Sequence, residues 1–334
     1  MADYDGRAYS PKEFKLLFVA ESTIGDGNTT SMQTINVDSV EMPSFNPTQV
    51  FDVRSGDGRT AKVADAYISQ KAVQHEVSFS GTADSTVLPL LLQNIITTAV
   101  STSPASYDIG YNYTPPDLEH GEASGITKTV CVAIVNPEEG DDHSIVLPGC
   151  VLTSLSLSGD MGTENGRIKM SGTFMTGYKP TTGQAAPTGA SAYGSTFYYL
   201  TTMNTTKKVA GRENVIIQSM TLNLENPASF LGYQGSNADP QSIARAIPEI
   251  SASMDATIKL DNQTADIHTD LLDGDTVATE ISNHATWASA TTFGIKADYG
   301  KVSSVAFNEA AAMMMDVSMK FFASTSGDVI QIIA

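Results

Sequence analysis

Length, composition and charge indicate a folded, acidic protein and exclude several classes. The chain has 334 residues, 41% of them hydrophobic, and 37 acidic against 19 basic side chains give a formal net charge of −18. This length suffices for two domains, and the composition is typical of a globular chain. Because phosphate binding needs clustered Lys and Arg, the charge argues against a nucleic-acid ligand, although not against a position beside nucleic acid.

Signals of targeting and catalysis are absent from the sequence. No segment has the apolar length of a signal peptide core or a membrane helix, so we expect folding in a cytoplasm and no contact with a membrane. Cys131 and Cys150 lie in apolar sequence, which favours buried thiols over a disulfide. We find no Cys/His cluster, phosphate loop, dinucleotide motif or nucleophile elbow. The sequence therefore predicts no enzyme, no cofactor and no metal site.

The first strong element in chain order is an alternating strand, HEVSFSG (75–81). Apolar residues alternate there with Glu76 and Ser78, as a strand buried on one face requires. A helix is predicted next, over residues 83–100, with Asp84 and Ser85 as candidate N-caps.

A hairpin is predicted from LTSLSLS (152–158) and RIKMSGTF (167–174). Both runs alternate, and GDMGTENG between them supplies the Gly, Asp and Asn of a turn. The polar face of the first run consists of Ser154, Ser156 and Ser158.

Residues 177–195 are rich in Gly, Pro, Ala, Ser and Thr and contain almost no large apolar side chain. This composition predicts a linker. We therefore expect a first domain over residues 1–176, including an N-terminal arm, and a second domain over residues 196–334.

The second half repeats the order of elements in the first. HEVSFSG and its helix correspond in this interpretation to ISASMDATIKL and the helix ADIHTDLLDG. KTVCVAIV corresponds to TFGIKADY, and the hairpin over 152–174 corresponds to MMMDVSMKFF with VIQII. The correspondence depends on pattern and order, because residue identity between the halves is low.

Two segments resemble siphophage-type tail tube (major tail) proteins, in the variant with tandem domains. The stretch GCVLTSLSLSGDMGTENGRIKMSGTFMTG (149–177) is similar to the terminal hairpin of that family. SMTLNLENPASFLGYQGSNADPQSIARAIPEISASMDATIKL (219–260) is similar to its strand, loop and returning long strand. The resemblance covers most of residues 30–334.

The resemblance implies a mainly β fold of two tandem β-sandwich or half-barrel domains, each with one short flanking helix. It implies a structural subunit of the virion tail, made and assembled in the host cytoplasm, whose inner sheet joins those of neighbouring copies. Rings of three or six chains would stack into the channel for DNA ejection. Expected partners are other copies of the chain, the terminator, tape measure and distal tail proteins, and double-stranded DNA in non-specific passage.

The polar faces of the alternating strands are then the candidate lining of the channel. Small hydroxyls and carboxylates would keep a DNA duplex centred without binding its phosphates. The candidates are Glu76, Ser78, Ser154, Ser156, Ser158, Asp255, Thr257, Asp298 and Asp316.

A second class of function stays open at this point, a phage baseplate or adhesin β-sandwich that binds a surface sugar or protein. Such a module would carry aromatic patches on its loops, whereas this chain has one Trp. A β-rich hydrolase is a third reading, but it needs a convergent catalytic set that the sequence does not offer.

Overall fold

The computed structural model describes residues 9–35, 37–43, 48–51, 66–69, 74–92, 99–102, 105–110, 127–134, 143–187, 199–203, 206–232, 242–244, 251–285, 293–309, 313–323 and 328–333. These residues form a mainly β fold with two short helices, which confirms the predicted fold class.

The first half begins with a 3-10 turn at Pro11–Glu13 and has a second such turn at Glu164–Gly166. Its elements are β1 (Phe14–Ala20), β2 (Gln33–Ile35), β3 (Val37–Val40), β4 (Thr48–Phe51), β5 (Ala66–Ser69), β6 (His75–Thr82), α1 (Val87–Leu92), β7 (Ala99–Thr102), β8 (Ala105–Gly110), β9 (Lys128–Ile134), β10 (Ser144–Asp160), β11 (Lys169–Thr176) and β12 (Thr181–Gln184).

The elements of the second half are β13 (Thr206–Val209), β14 (Arg212–Glu213), β15 (Ile217–Glu225), β16 (Ser229–Gly232), β17 (Ser242–Ala244), β18 (Ser251–Lys259), α2 (Ile267–Asp273), β19 (Thr276–Ser282), β20 (Gly294–Glu309), β21 (Met313–Phe321) and β22 (Asp328–Ile333).

An antiparallel ladder, here called the long sheet, runs through both halves in the order β3–β6–β11–β10–β15–β18–β21–β20. The pair β10–β15 joins the first four strands to the last four, and we call it the internal junction. Among the described residues, β3 pairs with β6 alone, and the C-terminal part of β20 pairs with β21 alone. The long sheet is therefore open at both ends.

Two strands, β10 and β20, each belong to two layers. The beginning of β10 pairs with β9 and β12, and its end belongs to the long sheet. The beginning of β20 pairs likewise with β19 and β22. The second layer is completed by β1 and β2 beside β9, by β13 and β14 beside β19, and by β7 and β8, of which β8 pairs with β22.

One large core lies between these layers. The apolar side chains of the long sheet pack there with both helices and with the second layer, and burial of such surface is the main favourable term in folding. The alternation of buried and exposed residues in β18 and β15 shows the two faces clearly. Long-sheet members of this core include Val77, Phe79, Leu155, Leu157, Phe174, Leu222, Met254, Val317 and Met319.

Both helices have identifiable ends. The Oδ1 atom of Asp84 accepts hydrogen bonds from the backbone N–H groups of Thr86 (2.8 Å) and Val87 (2.9 Å), so this predicted N-cap is confirmed. The first helix is shorter than the predicted 83–100, because it spans Val87–Leu92 and β7 begins at Ala99. α2 ends at Gly274, whose φ of 67° is the left-handed conformation that favours glycine.

The two halves place their elements in the same order with the same pairing partners. This pattern supports the predicted match of β6 and its helix with β18 and its helix. The other predicted matches are wrong by one strand: β9 corresponds to β19, and the hairpin β10–β11 corresponds to β20–β21. The error arose because TVATEIS (276–282), which forms β19, follows α2 so closely that it was not recognised as a strand.

Part of the predicted linker is ordered. Residues 181–184 form β12, which pairs with the beginning of β10, and residues 188–195 lie outside the described part of the chain. The division of the chain into two domains at 177–195 stays a prediction.

Both cysteines are free and buried, as predicted. Burial raises the pKa of the Cys131 thiol to about 12 and raises that of Cys150 as well. No helix within the described ranges has the length and apolar character needed to cross a membrane.

Candidate functional site

The long sheet has one apolar face, which packs on the core, and one polar face, which extends from one open edge to the other. Opposite the apolar core, cross-strand neighbours form rows of small polar side chains, because residues opposite each other in a ladder share a face. One such row consists of Ser80, Ser171, Ser156, Asn223 and Ser253. Another consists of Lys169, Ser158, Thr221, Asp255 and Ser318.

Eight of the nine residues predicted to line a channel lie together on this face. They come from four strands of the long sheet, and all are exposed or half-buried. The eight are Glu76, Ser78, Ser154, Ser156, Ser158, Asp255, Thr257 and Asp316.

The ninth residue, Asp298, lies elsewhere. It belongs to the part of β20 in the second layer, and its carboxylate contacts the Lys296 amine at 2.9 Å. Glu280 on the neighbouring strand faces the same group of charges, and burial raises the pKa of its carboxyl although the Lys296 amine opposes that shift. We therefore remove Asp298 from the set. The alternation in β20 could not reveal that the strand changes layers after this residue.

Hydrogen bonds between side chains fix much of the polar face. The Thr257 hydroxyl donates to Asp316 Oδ1 at 2.7 Å, and the Ser156 hydroxyl donates to Asn223 Oδ1 at 2.8 Å. These polar groups therefore satisfy one another along the sheet.

Charges of both signs lie on the polar face, with acidic groups in modest excess. The Lys169 amine is paired with the Asp38 carboxylate at 2.7 Å. The carboxylates are those of Asp38, Glu41, Glu76, Asp160, Glu225, Asp255 and Asp316, and the amines are those of Lys169, Lys259, Lys301 and Lys320. Among the described residues of this face carboxylates outnumber amines, and the directly opposed pair Lys301 and Lys320 is too small to hold a row of phosphates.

A second group of polar residues supports the bend at which β10 passes between the layers, and no sequence motif indicates this group. The buried Glu21 carboxylate accepts hydrogen bonds from the Thr129 hydroxyl (2.8 Å) and from the Gly149 N–H (2.9 Å). Gly149 has a φ of +62°, and a Cβ there would lie 2.4 Å from the ring of Tyr178. Glycine is therefore required at this bend.

Lys128 is buried beside this bend. Burial lowers the pKa of its amine to about 7, although the ring of Phe18 lies 5.0 Å from the Nζ atom and favours the charged form. Burial has the larger effect. The sequence of β9, KTVCVAI, does not indicate that its lysine is buried. Strand alternation does not separate a fully buried strand from a half-buried one.

Groups that could hold a metal are not found in the part of the chain that the structure describes: no three His, Cys, Asp or Glu side chains lie close enough together. The described strands of the long sheet instead present two open edges and a polar face, and an open edge has unpaired backbone N–H and C=O groups.

Comparison with known protein families gives a match over nearly the whole chain. No curated protein is similar enough to match the chain. A family model described as phage tail tube protein matches residues 14–328, nearly the whole chain. The chain therefore belongs to the phage tail tube protein family and is a structural component of a virion tail.

Proposed function

We propose that three copies of this chain form one ring of the tail tube by joining their long sheets edge to edge. Rings stack into a tube, and its channel carries genomic double-stranded DNA into the host. The observation that supports this proposal is the long sheet itself, which consists of two four-strand units with the same pairing pattern and is open at β3 and β20.

The dimensions of the long sheet fit three chains. Each chain contributes eight strands among its described residues, so that three chains give a closed sheet of 24. At a strand spacing of about 4.8 Å, 24 strands parallel to the axis would enclose roughly 37 Å between opposite backbones, and tilt would widen this further. Such a bore leaves room for a hydrated duplex after side chains are subtracted.

The chemistry of the polar face fits passage of DNA. Hydroxyls and a modest excess of carboxylates repel phosphates weakly, and the repulsion decays within about 8 Å at physiological ionic strength. Clustered amines would instead bind the duplex, since each phosphate contact adds affinity. We therefore assign the polar face, with Glu76, Asp255 and Asp316 among its acidic groups, to the channel wall.

Two covalently linked units account for the internal repeat. We place the boundary between them after β12, because β12 pairs within the first half and β13 begins the ladder of the second half. Linking two units removes three of the six contacts that a ring of single units would have to make between separate chains, which raises the effective concentration at those contacts. Capping and filling such a tube requires the terminator, tape measure and distal tail proteins.

Electron microscopy of the purified full-length chain tests the proposal. We expect hollow filaments of uniform width, with three chains in each ring by reconstruction or by mass per unit length. Rings of six chains would contradict the stoichiometry. A protein that stays monomeric under all assembly conditions, including with its partner tail proteins, would contradict the tube itself.

A further inference from the structure

We propose a specific register for the contact between chains. In this register the C-terminal part of β20 pairs with β3 and the residues that follow it, 41–43, in the next copy of this chain. In this register Phe307 lies opposite Met42, and Asn308 lies opposite Glu41. The inference rests on the proposed ring and adds which residues meet in it. Its template is the internal junction, where one half of the chain already pairs with the other.

The internal junction has a defined hydrogen-bonding pattern. Its ladder places Leu157 opposite Leu222 and Ser158 opposite Thr221. Bonds from Met161 N to Gln218 O and from Asn226 N to Thr153 O, both 2.8 Å, lie at its two ends. Since bonded pairs alternate along an antiparallel ladder, Leu157 and Leu222 form a hydrogen-bonded pair, and Ser158 and Thr221 form a non-hydrogen-bonded pair.

A shared bulge aligns β20 with β10. The β10–β11 ladder shifts register between Leu152 and Ser154, and the β20–β21 ladder shifts between Val302 and Ser304. The bulged residue donates its hydroxyl to a carbonyl of the next strand in both cases: Thr153 to Thr173 O at 3.1 Å, and Ser303 to Ser318 O at 3.0 Å. This alignment makes Phe307 the counterpart of Leu157, and Asn308 the counterpart of Ser158.

Another shared bulge aligns β3 with β15. The β3–β6 ladder shifts register between Val37 and Ser39, and the β15–β18 ladder shifts between Ile217 and Ser219. Glu41, whose N–H donates to Ser78 O at 2.8 Å, continues the first ladder. Counting from the bulge, Glu41 is the counterpart of Thr221, and Met42 is the counterpart of Leu222.

Apolar side chains at the open edges are exposed, whereas their counterparts at the internal junction are buried. Leu157 and Leu222 are 0% and 2% exposed at the internal junction, whereas Phe307 and Met42 are 57% and 38% exposed at the open edges. Both belong to the apolar side of the long sheet. Pairing β20 with the next copy's β3 brings these two side chains together and buries them as the leucines are buried.

Pro43 is compatible with this register. Its counterpart, Asn223, lies in a non-hydrogen-bonded pair of the internal junction, opposite Ser156. A residue in such a pair directs its N–H away from that neighbour. The N–H that proline lacks is therefore one that the contact between chains does not use.

Disulfide cross-linking of assembled tubes tests the register. The variant Glu41→Cys/Asn308→Cys places two cysteines in a non-hydrogen-bonded pair, where Cα atoms are about 4.5 Å apart and a disulfide fits. After oxidation we expect a covalent trimer on a non-reducing gel that reverts to monomer with reductant. The native Cys131 and Cys150 are buried, and single-cysteine variants control for their reaction.

Two controls keep the register falsifiable. Glu41→Cys/Ala306→Cys tests a slip of two residues on the same face, and Glu41→Cys/Phe307→Cys places the thiols on opposite faces. Tubes that cross-link through 306, or through none of the pairs, would overturn the register while leaving the proposed function standing. Absence of tubes from the unmodified chain would overturn both.

Discussion

The two halves of the long sheet keep one backbone arrangement with different side chains. In the first half, Phe79 of β6 packs against Gly172 of β11, and a Cβ at Gly172 would lie 2.8 Å from the Phe79 ring. The same positions in the second half hold Ala256 and Val317. A large residue beside glycine has become a small residue beside valine. The pair, not either residue, therefore maintains the volume of the core, as close packing demands.

Charge differs between the halves as well. The buried Lys128 of β9 has Val277 as its counterpart on β19, since Lys128 lies opposite Cys150 and Val277 lies opposite Gly300. One half thus carries a buried amine where the other carries an aliphatic side chain. The first half also contains the buried Glu21 and its hydrogen bonds, so its bend is held by polar contacts.

The largest expected effect on stability comes from placing a carboxylate at the internal junction, and the same change at the open edge should affect assembly instead. Leu157→Asp buries a carboxylate without a partner, which costs several kcal/mol against a typical stability of about 5–15 kcal/mol, and we expect no folded soluble protein. Phe307→Asp, at the equivalent position of the open edge, leaves the monomer's unfolding transition within about 0.5 kcal/mol of the unmodified chain but prevents assembly. Thermal unfolding measures the stability of each variant, and sedimentation measures its assembly. Equal destabilisation by both changes would contradict the equivalence of β10 and β20.

The next largest effect on stability concerns Phe79 and Gly172, which together fill one volume of the core. Phe79→Ala is expected to cost about 3–5 kcal/mol through the cavity it leaves. Gly172→Val alone costs about 1–3 kcal/mol because the added side chain meets the Phe79 ring. The double variant copies the pair of the second half and recovers at least half of the summed loss, limited by the 3.0 Å approach to Ser154 O. Strictly additive losses in urea unfolding would show that the two positions do not share one volume.

A smaller effect concerns pH. Burial holds the Lys128 pKa at about 7, below its ordinary 10.5, so the unfolded chain binds more protons between these values. Stability is therefore lost as pH falls from about 10.5 to about 7, and the loss is complete below the lower value. Lys128→Met should raise stability at neutral pH by on the order of a few kcal/mol and remove this slope.

Denaturant unfolding at neutral and at alkaline pH measures the effect of Lys128→Met. Lys259→Met, at an exposed lysine, is the matched control and should change neither the stability nor the slope. If Lys128→Met keeps the dependence of stability on pH that the unmodified chain shows, that dependence arises from other titratable groups.

The smallest effect on folding, with a distinct effect on function, tests the polar face. Asp255→Lys/Asp316→Lys should leave assembly intact and slow DNA ejection, because amines on the channel wall bind phosphates; added salt should relieve the defect. Asp273→Lys/Asp298→Lys makes the same change of charge away from the polar face and should eject DNA at the normal rate. Equal ejection by both variants would contradict the electrostatic role of the wall.

Alternation in the sequence was sufficient to predict the sheet and its faces, since each long-sheet strand buries one side against a single core. Leu155 and Phe79 fall on the apolar face, and Ser156 and Ser78 on the polar face, as the period of two requires. The hairpin β10–β11 and the N-cap at Asp84 were predicted for the same reason, because their signals are local.

Features that depend on distant contacts were not predictable. β10 and β20 each change layers within one continuous strand, and alternation gives no sign of the change, so the sequence could not show that Asp298 lies apart from the other eight candidates. The pairing of β8 with β22 joins residues from different halves of the chain. The burial of Lys128 likewise depends on neighbours that no local pattern identifies.

The substitution of acids for hydroxyls between the halves has a consequence for the symmetry of the bore. Asp255 and Asp316 occupy the positions that Ser78 and Ser171 hold in the first half. A ring of three such chains has nearly sixfold backbone symmetry but only threefold electrostatic symmetry. A duplex in the proposed channel would meet two differently charged kinds of stripe in alternation, three of each, and a ring of six identical single units cannot have this variation.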